Sequence, residues 1–244
     1  MPPPFLSVVI PAYNEALRIG ATLEAVREYL ASRDYATELI LVDDGSTDST
    51  PAVLEDFRSR CPAVRILRNE PNRGKGFSVR RGALEAQGKV VLFTDADLSA
   101  PIEEAGKLLA VLESSGADAA VGSRALQREL IGVRQPWYRD TAGRVFNLLV
   151  RMIAGLKIHV TQCGLKLFRL ATTRRAFELQ RVERFGFDPE LLFLIERLGG
   201  KIVEVPVRWN DNPATKVHFL RDSTRMFLDL LALRWRALRG AYRL

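Results

Sequence analysis

Five short apolar runs punctuate the first half of the chain: Leu6–Ile10, Glu38–Val42, Val64–Arg68, Val90–Thr94 and Ala117–Gly122. They are rich in Val, Ile and Leu and alternate little between apolar and polar positions. A strand covered on one face would alternate; near-continuous runs mark strands covered on both faces, as in parallel sheets. Helix-like stretches lie between the runs. Asn14 is placed to cap a helix reaching about Ser32. Thr50 followed by Pro51 is a cap and first-turn pair. Ser99 precedes PIEEAGKLLAVLES, whose acids fall in the first turn, where the helix dipole favours them. This rhythm predicts an α/β fold with an open, mostly parallel sheet flanked by helices.

After about residue 124 the rhythm changes. An Arg-rich loop leads to a helix predicted over Tyr138 to Ala154, then a strand-like TQCGLKLFR (161–169). A helix from about Pro189 to Leu198 and a strand in KIVEVPVRW (201–209) follow, and an amphipathic helix from about Leu220 to Leu238 ends the chain. There is no internal repeat and no low-complexity linker. The reading is one domain over 1–244, with 219–244 as a basic helical C-terminal part.

Composition narrows the class. With 244 residues, 47% of them hydrophobic, the chain can bury a sizeable core. Two cysteines, Cys61 and Cys163, without CxxC or zinc spacing, predict a reduced, cytoplasmic setting. The start, MPPPFLSVVIP, has no basic leader region, so no signal peptide is expected. No run of about eighteen apolar residues exists, so no spanning helix is expected. Charge is uneven: residues 1–123 hold 13 Lys+Arg and 18 Asp+Glu, residues 124–244 hold 23 and 11. The basic second half predicts an anionic partner.

In open α/β sheets ligands bind beyond the carboxyl ends of the strands. Here those ends carry PAYNE (11–15), DDGSTD (43–48), NEPNRGKG (69–76) and the pair Asp95 and Asp97. Neither GxxxxGK[ST] nor a GxGxxG after the first strand is present, so backbone amides are not the chief holders of a phosphate. Two carboxylates at i and i+2 suit Mg²⁺ or Mn²⁺ bridging to a diphosphate. A lone pair of this kind also reads as acids at a helix start, and DDGSTDST alone reads as a turn before a cap. In combination the three stretches favour the functional reading.

IPAYNE, DDGSTD and FTDADLS, in this order, resemble the inverting family 2 glycosyltransferases, whose nucleotide-sugar-binding fold is called GT-A. NRGKGFSVRRGALEAQG (72–88), FTDADLSAP (93–101), VGSRA (121–125) and TQCGLKLF (161–168) further resemble the dolichyl-phosphate glucosyltransferases and their bacterial polyprenyl-phosphate relatives. The resemblance implies that residues 1–123 bind the nucleotide sugar and residues 124–218 the acceptor. Pro11, Ala12, Tyr13 and Glu15 would line the nucleoside pocket, and Asp43 and Asp44 would contact base or ribose. Asn72, Lys75 and Gly76 would lie over the nucleotide, and Asp95, Ala96 and Asp97 would form the metal and diphosphate site. Asp97, Arg124 and Lys166 are the expected catalytic groups, with Arg124 facing the donor sugar or the acceptor phosphate. Arg128, Arg134 and Arg139 are the expected acceptor-phosphate cations.

One position departs from the pattern. Relatives read DTQCGFK where this chain has Val160 before TQCGLK. That acid is a candidate base in the group. A lipid phosphate needs none, because its second pKa of about 6 leaves it largely anionic at neutral pH; it needs cations and desolvation instead. Asp188 and Glu190 are further acids near the acceptor side, though Asp188-Pro189 also reads as a helix start. The expected reaction moves a hexose, glucose from UDP-glucose, onto a polyprenyl or dolichyl phosphate. GDP-mannose, or a soluble sugar acceptor, is the alternative. The helices at 144–157 and 219–244 interleave Leu, Phe and Trp with Arg, which predicts peripheral contact with the inner face of a membrane. A nucleic-acid-binding protein fits poorly: the aromatics do not cluster with the basic residues, and the acidic pair lies in the other half.

Overall fold

A computed structural model describes residues 3–212 and 219–242. Part of the expected acceptor half, 213–218, and the end of the C-terminal stretch, 243–244, lie outside the described residues. In chain order the elements are β1 (Leu6–Ala12), α1 (Ile19–Ala31), β2 (Thr37–Asp43), α2 (Thr50–Arg60), β3 (Val64–Arg68), α3 (Lys75–Glu85), β4 (Val90–Thr94), α4 (Ala105–Ser115), β5 (Ala119–Ser123), β6 (Ile131–Val133), α5 (Trp137–Ala154), β7 (Leu165–Arg169), α6 (Leu170–Leu179), α7 (Phe187–Arg197), β8 (Ile202–Pro206), β9 (Trp209–Asn210) and α8 (Phe219–Leu238).

Seven strands form one sheet in the order β3-β2-β1-β4-β7-β5-β8, and β6 pairs with β9 in a separate two-stranded ribbon. All pairings in the large sheet are parallel except those of β7, which runs antiparallel between β4 and β5. Successive residues of β1 face opposite sides, and both sides are apolar. Leu6, Val8 and Ile10 join a core with α1, α2 and α4, while Val9 joins a second core with α3, α5, α6 and α7. Burial on both faces is why these strands read as continuous apolar runs.

Three helix starts differ from the sequence expectation. Asn14 adopts a left-handed φ of 54° and its Oδ1 accepts from the N–H groups of Thr47 (2.8 Å) and Asp48 (3.3 Å). It ties the β2–α2 loop, and α1 begins only at Ile19. Thr50 lies within α2, and its Oγ1 accepts from the Glu15 N–H at 2.7 Å. Ser99 donates its N–H to Asp97 Oδ1 at 3.0 Å, and a 3-10 turn over Ile102–Glu104 leads into α4. The Asn14 and Thr50 side chains, which read as helix caps, instead tie together the loops at the carboxyl ends of β1 and β2.

Candidate active site

Those loops wall a cavity of about 600 Å³ that includes Pro11, Ala12, Tyr13, Glu15, Asp44 and Asn72. Asp44 organises it. Its Oδ1 accepts from Asn69 Nδ2 (2.8 Å) and the Arg73 N–H (3.0 Å), and its Oδ2 from Asn72 Nδ2 (2.8 Å) and the Gly74 N–H (2.7 Å). A carboxylate accepting four such bonds fixes a loop as a helix cap fixes a turn. Asp43 stands behind it, buried, with Oδ1 on the Ser46 N–H at 2.9 Å; it shapes the loop rather than lining the cavity. Gly76 also differs from expectation. It packs against α7, where an added Cβ would meet the Phe187 Cβ at 2.5 Å.

The antiparallel β4–β7 pairing sets the floor. Thr94 is registered with Leu165, so the next residue, Asp95, faces Gly164, and the Asp95 N–H donates to the Gly164 carbonyl at 3.0 Å. A Cβ at residue 164 would stand 2.1 Å from Asp95 Oδ2, which is the physical reason for glycine in TQCGLK. Lys75 Nζ lies 2.6 Å from Asp95 Oδ1. Burial disfavours the Lys75 ammonium, but Asp95, then Asp188 and Asp97, outweigh it and raise its pKa above the ordinary lysine value. Arg18, which sequence reasoning missed, chelates Glu15 and reaches within 3.9 Å of Asp97 Oδ2. Its hydrogen bond to Glu15 raises its pKa.

Asp95 and Asp97 are part-exposed into the cavity and suit a divalent ion. Among the described residues no cluster of three or more His, Cys, Asp or Glu could cage one. Mg²⁺-type ions are held by one or two carboxylates, with substrate phosphate and water as the other ligands.

A second cavity of about 480 Å³ meets the first at Lys75, Asp95, Asp97 and Phe185. Its polar wall includes Arg124, Arg139 and Asp188; its apolar wall includes Phe146, Leu149, Met226 and Phe227. The Arg124 guanidinium stacks 4.5 Å over the Trp209 ring, and burial lowers its pKa, though an arginine stays protonated. Arg128 and Arg134 line neither cavity; Arg128 pairs with Asp140 at 3.1 Å, outside the chamber. Lys166 is a larger departure. It sits in the middle of the sheet, registered with Phe93 and Val121, 1% exposed, its Nζ 2.6 Å from Asp188 Oδ1 and bonded to the Cys163 carbonyl at 2.5 Å. It supports Asp188 from below and reaches no cavity. Burial pushes the Asp188 carboxyl up, against the pull of Lys166 and Lys75.

Val160 is buried in the core that also holds Cys163, Leu165, Val205 and Val207. Its backbone N–H is held by Glu204 Oε1 at 3.0 Å. Val160 lines neither cavity. Arg184 and Arg221 line the first cavity; neither belongs to a motif whose spacing announces it.

Comparison with known proteins fits this geometry. The model of glycosyl transferase family 2 matches residues 7–176. A dolichyl-phosphate beta-glucosyltransferase of Drosophila melanogaster is 37% identical over 252 residues, covering 98% of this chain and 77% of the fly protein. Its Saccharomyces cerevisiae counterpart is 35% identical over 258 residues, with the same two coverages of 98% and 77%. Among solved structures, glucosyl-3-phosphoglycerate synthase of Mycobacterium tuberculosis, in complex with Mn²⁺, UDP and glucosyl-3-phosphoglycerate, superposes with a TM-score of 0.68 at 21% identity, covering 95% of this chain and 80% of that one. A mannosyltransferase of Pyrobaculum calidifontis with GDP-Man and Mn²⁺ gives 0.65 at 20% identity, covering 97% and 65%. These likenesses establish the GT-A fold. Paired with the family match, they make the chain a glycosyltransferase that belongs to glycosyl transferase family 2.

Proposed function

We propose that this glycosyltransferase moves glucose from UDP-glucose onto the phosphate of a polyprenyl or dolichyl phosphate, with a divalent ion and with inversion at the anomeric carbon. The observation that carries this is the second cavity: two arginines and an apolar wall that meet the donor-side cavity at Asp95, Asp97 and Lys75. A soluble sugar acceptor would have little use for that apolar wall. The names of the similar fly and yeast enzymes point the same way.

Residues 1–123 then form the donor half and 124–218 the acceptor half. Pro11, Ala12 and Tyr13 pack on the nucleoside, and Asp44 keeps Asn72 and Lys75 beside it. Asp95 and Asp97 would hold Mg²⁺ or Mn²⁺ against the diphosphate. When bound, the ion neutralises charge on the departing diphosphate. Arg124 and Arg139 orient the acceptor phosphate, Arg124 kept in place by Trp209. A phosphate oxygen attacks the anomeric carbon as the bond to the nucleotide diphosphate breaks. The oxygen carries no proton at neutral pH, so no base is required, and Val160 in place of an acid is no impediment.

No described helix is long and apolar enough to cross a membrane. The lipid is met instead by α5 and α8, which expose Trp137, Leu148, Met152, Leu231, Trp235 and Leu238. Val145 and Phe227 are exposed on these same helices and also line the acceptor cavity, so the apolar face is continuous with the site. On this reading the protein sits peripherally at the inner face of a membrane, held by these two helices.

The test is transfer of label from UDP-glucose or GDP-mannose, in parallel, to polyprenyl phosphate in detergent with Mn²⁺. The expected outcome is lipid-phase label from UDP-glucose, lost with EDTA. Label only from GDP-mannose would correct the donor. Binding of a sugar nucleotide without transfer to lipid would overturn the acceptor.

A further inference from the structure

The Asp95 carboxylate is already occupied by a cation of the chain itself. Lys75 Nζ sits 2.6 Å from Asp95 Oδ1 and 5.3 Å from the centroid of the Phe93 ring. The lysine is the first residue of α3, and its neighbours pin its backbone. Gly74 has φ +113°, with Glu183 O 2.5 Å from where a Cβ would lie, and Gly76 is pressed equally close to Phe187. The ammonium can swing only through its side chain. It lines both cavities. Arg18 stands in a looser version of the same relation to Asp97, at 3.9 Å.

We propose that Lys75 is the resident counter-cation of Asp95, so that a divalent ion and the nucleotide diphosphate must enter together. The inference rests on the donor-site reading above. A dication arriving alone competes with an ammonium already in contact with its ligand, and once bound it faces that ammonium at close range in a part-buried site, where like charges repel strongly. A nucleotide diphosphate relieves this, because its oxygens accept the displaced ammonium as the ion takes Asp95. Each ligand thus removes the obstacle to the other, and the coupling is reciprocal by thermodynamic necessity. The arrangement keeps the ion from binding without a donor, and it delivers the Lys75 ammonium to the departing diphosphate at the border of the acceptor cavity.

The experiment is titration of the whole protein with Mn²⁺ alone, following the paramagnetic signal of the free ion, and again with UDP present. Lys75→Met keeps the length of the side chain and removes its charge. It is expected to bind Mn²⁺ without nucleotide about tenfold more tightly than the parent, the factor carried by about 1.4 kcal/mol. Lys75→Arg is expected to behave as the parent. Adding Asp95→Asn to Lys75→Met should abolish the gain. Circular dichroism melts of each variant confirm folding, and Lys75→Gln serves as the second neutral substitution. Nucleotide-free Mn²⁺ affinity unchanged in folded Lys75→Met and Lys75→Gln would overturn the proposal, while UDP binding by the parent would leave the donor site intact. Failure of the parent to bind UDP, with or without Mn²⁺, would overturn both.

Discussion

The two cavities that meet at Asp95 and Asp97 are built on opposite principles. The donor-side walls are strand ends and short loops, held by hydrogen bonds of 2.7–3.0 Å to Asp44 and by Asn14 and Thr50 between loops. The second cavity shares some of those strand ends, and the long helices α5 and α8 add to it an apolar surface and Arg139. Of the fourteen large apolar side chains exposed among the described residues, ten lie on these two helices. A nucleotide offers many directional polar groups, and recognising them needs atoms fixed in advance. A prenyl chain offers only apolar area, which tolerates imprecise contact. The comparison therefore predicts that single atoms on the donor side carry large effects and that the acceptor side responds in small, distributed steps.

The largest effect is expected at Asp97. Asp97→Asn keeps an oxygen for the Ser99 N–H, bonded at 3.0 Å in the parent, and removes the charge. Transfer should fall by about 10³-fold, at the upper end of what one electrostatic group supplies in a site, with the melting temperature unchanged. Arg139→Ala on the acceptor side should instead raise the KM for lipid about tenfold with kcat nearly kept. If the two variants were equally impaired in kcat, the asymmetry would be broken.

Gly164→Ala comes next. Its methyl would lie 2.1 Å from Asp95 Oδ2 and 3.0 Å from the Asp95 Cβ, so the carboxylate must swing aside. A displacement of about 1 Å in a reacting constellation can cost roughly 10²-fold in rate. The expected result is that loss in kcat/KM, partly recovered by raising Mn²⁺. Full activity in a folded variant would mean that the position of Asp95 is less exacting than the donor side requires.

Much of the first cavity is legible in the chain because it is local. Doubly buried parallel strands announce themselves as apolar runs, and β4, buried throughout, falls where the pattern places it, as does the edge strand β3. PAYNE, DDGSTD and the acid pair mark strand ends, and Pro11, Ala12, Tyr13, Glu15, Asp44, Asn72, Lys75, Asp95, Ala96 and Asp97 line one cavity. What was not legible depends on pairing between distant segments. No periodicity reveals that β7 inserts antiparallel between β4 and β5, and that insertion buries Lys166 and sets Gly164 against Asp95. Arg18 precedes its helix without a motif and acquires its role only by meeting Glu15 and Asp97. Asn14 and Thr50 carry the right side chains for caps, but a loop in another part of the chain outcompetes the local helix for their hydrogen bonds. β6 is three residues long, too short to show any alternation.

A smaller effect tests the apolar face directly. Leu231→Ser with Trp235→Ser removes two exposed side chains of α8. Each large apolar group contributes about 1.5–3 kcal/mol when fully buried, and less at an interface. Sedimentation with anionic vesicles should therefore weaken roughly tenfold or more, while UDP binding stays unchanged. Undiminished vesicle binding would separate the acceptor cavity from the membrane reading.

The smallest effect concerns how the soft side is fastened to the rigid one. Glu190, buried at the start of α7, accepts from the N–H groups of Arg181 (2.8 Å) and Val182 (2.6 Å) and from the Tyr242 hydroxyl (2.6 Å). The same helix start presents Asp188 to the acceptor cavity, so this node fastens the chain beyond α8 to the element that carries a site residue. Tyr242→Phe leaves Glu190 with its two backbone donors, so the cost should be about 1 kcal/mol, or roughly 2–4 °C in melting temperature for a chain of this size. Burial first, then the Glu190 charge, raises the phenol pKa, whereas an unfolded phenol titrates near 10. The folded state holds that proton more tightly. Its stabilisation is therefore complete below about pH 10 and declines as pH climbs from there toward the folded value. Melts of the parent and of Tyr242→Phe should differ by a constant few degrees between pH 7 and 9 and converge in stronger alkali. A gap that persisted there would mean that the folded state does not hold the phenol proton more tightly, and that the Glu190 node is not what fastens the chain beyond α8.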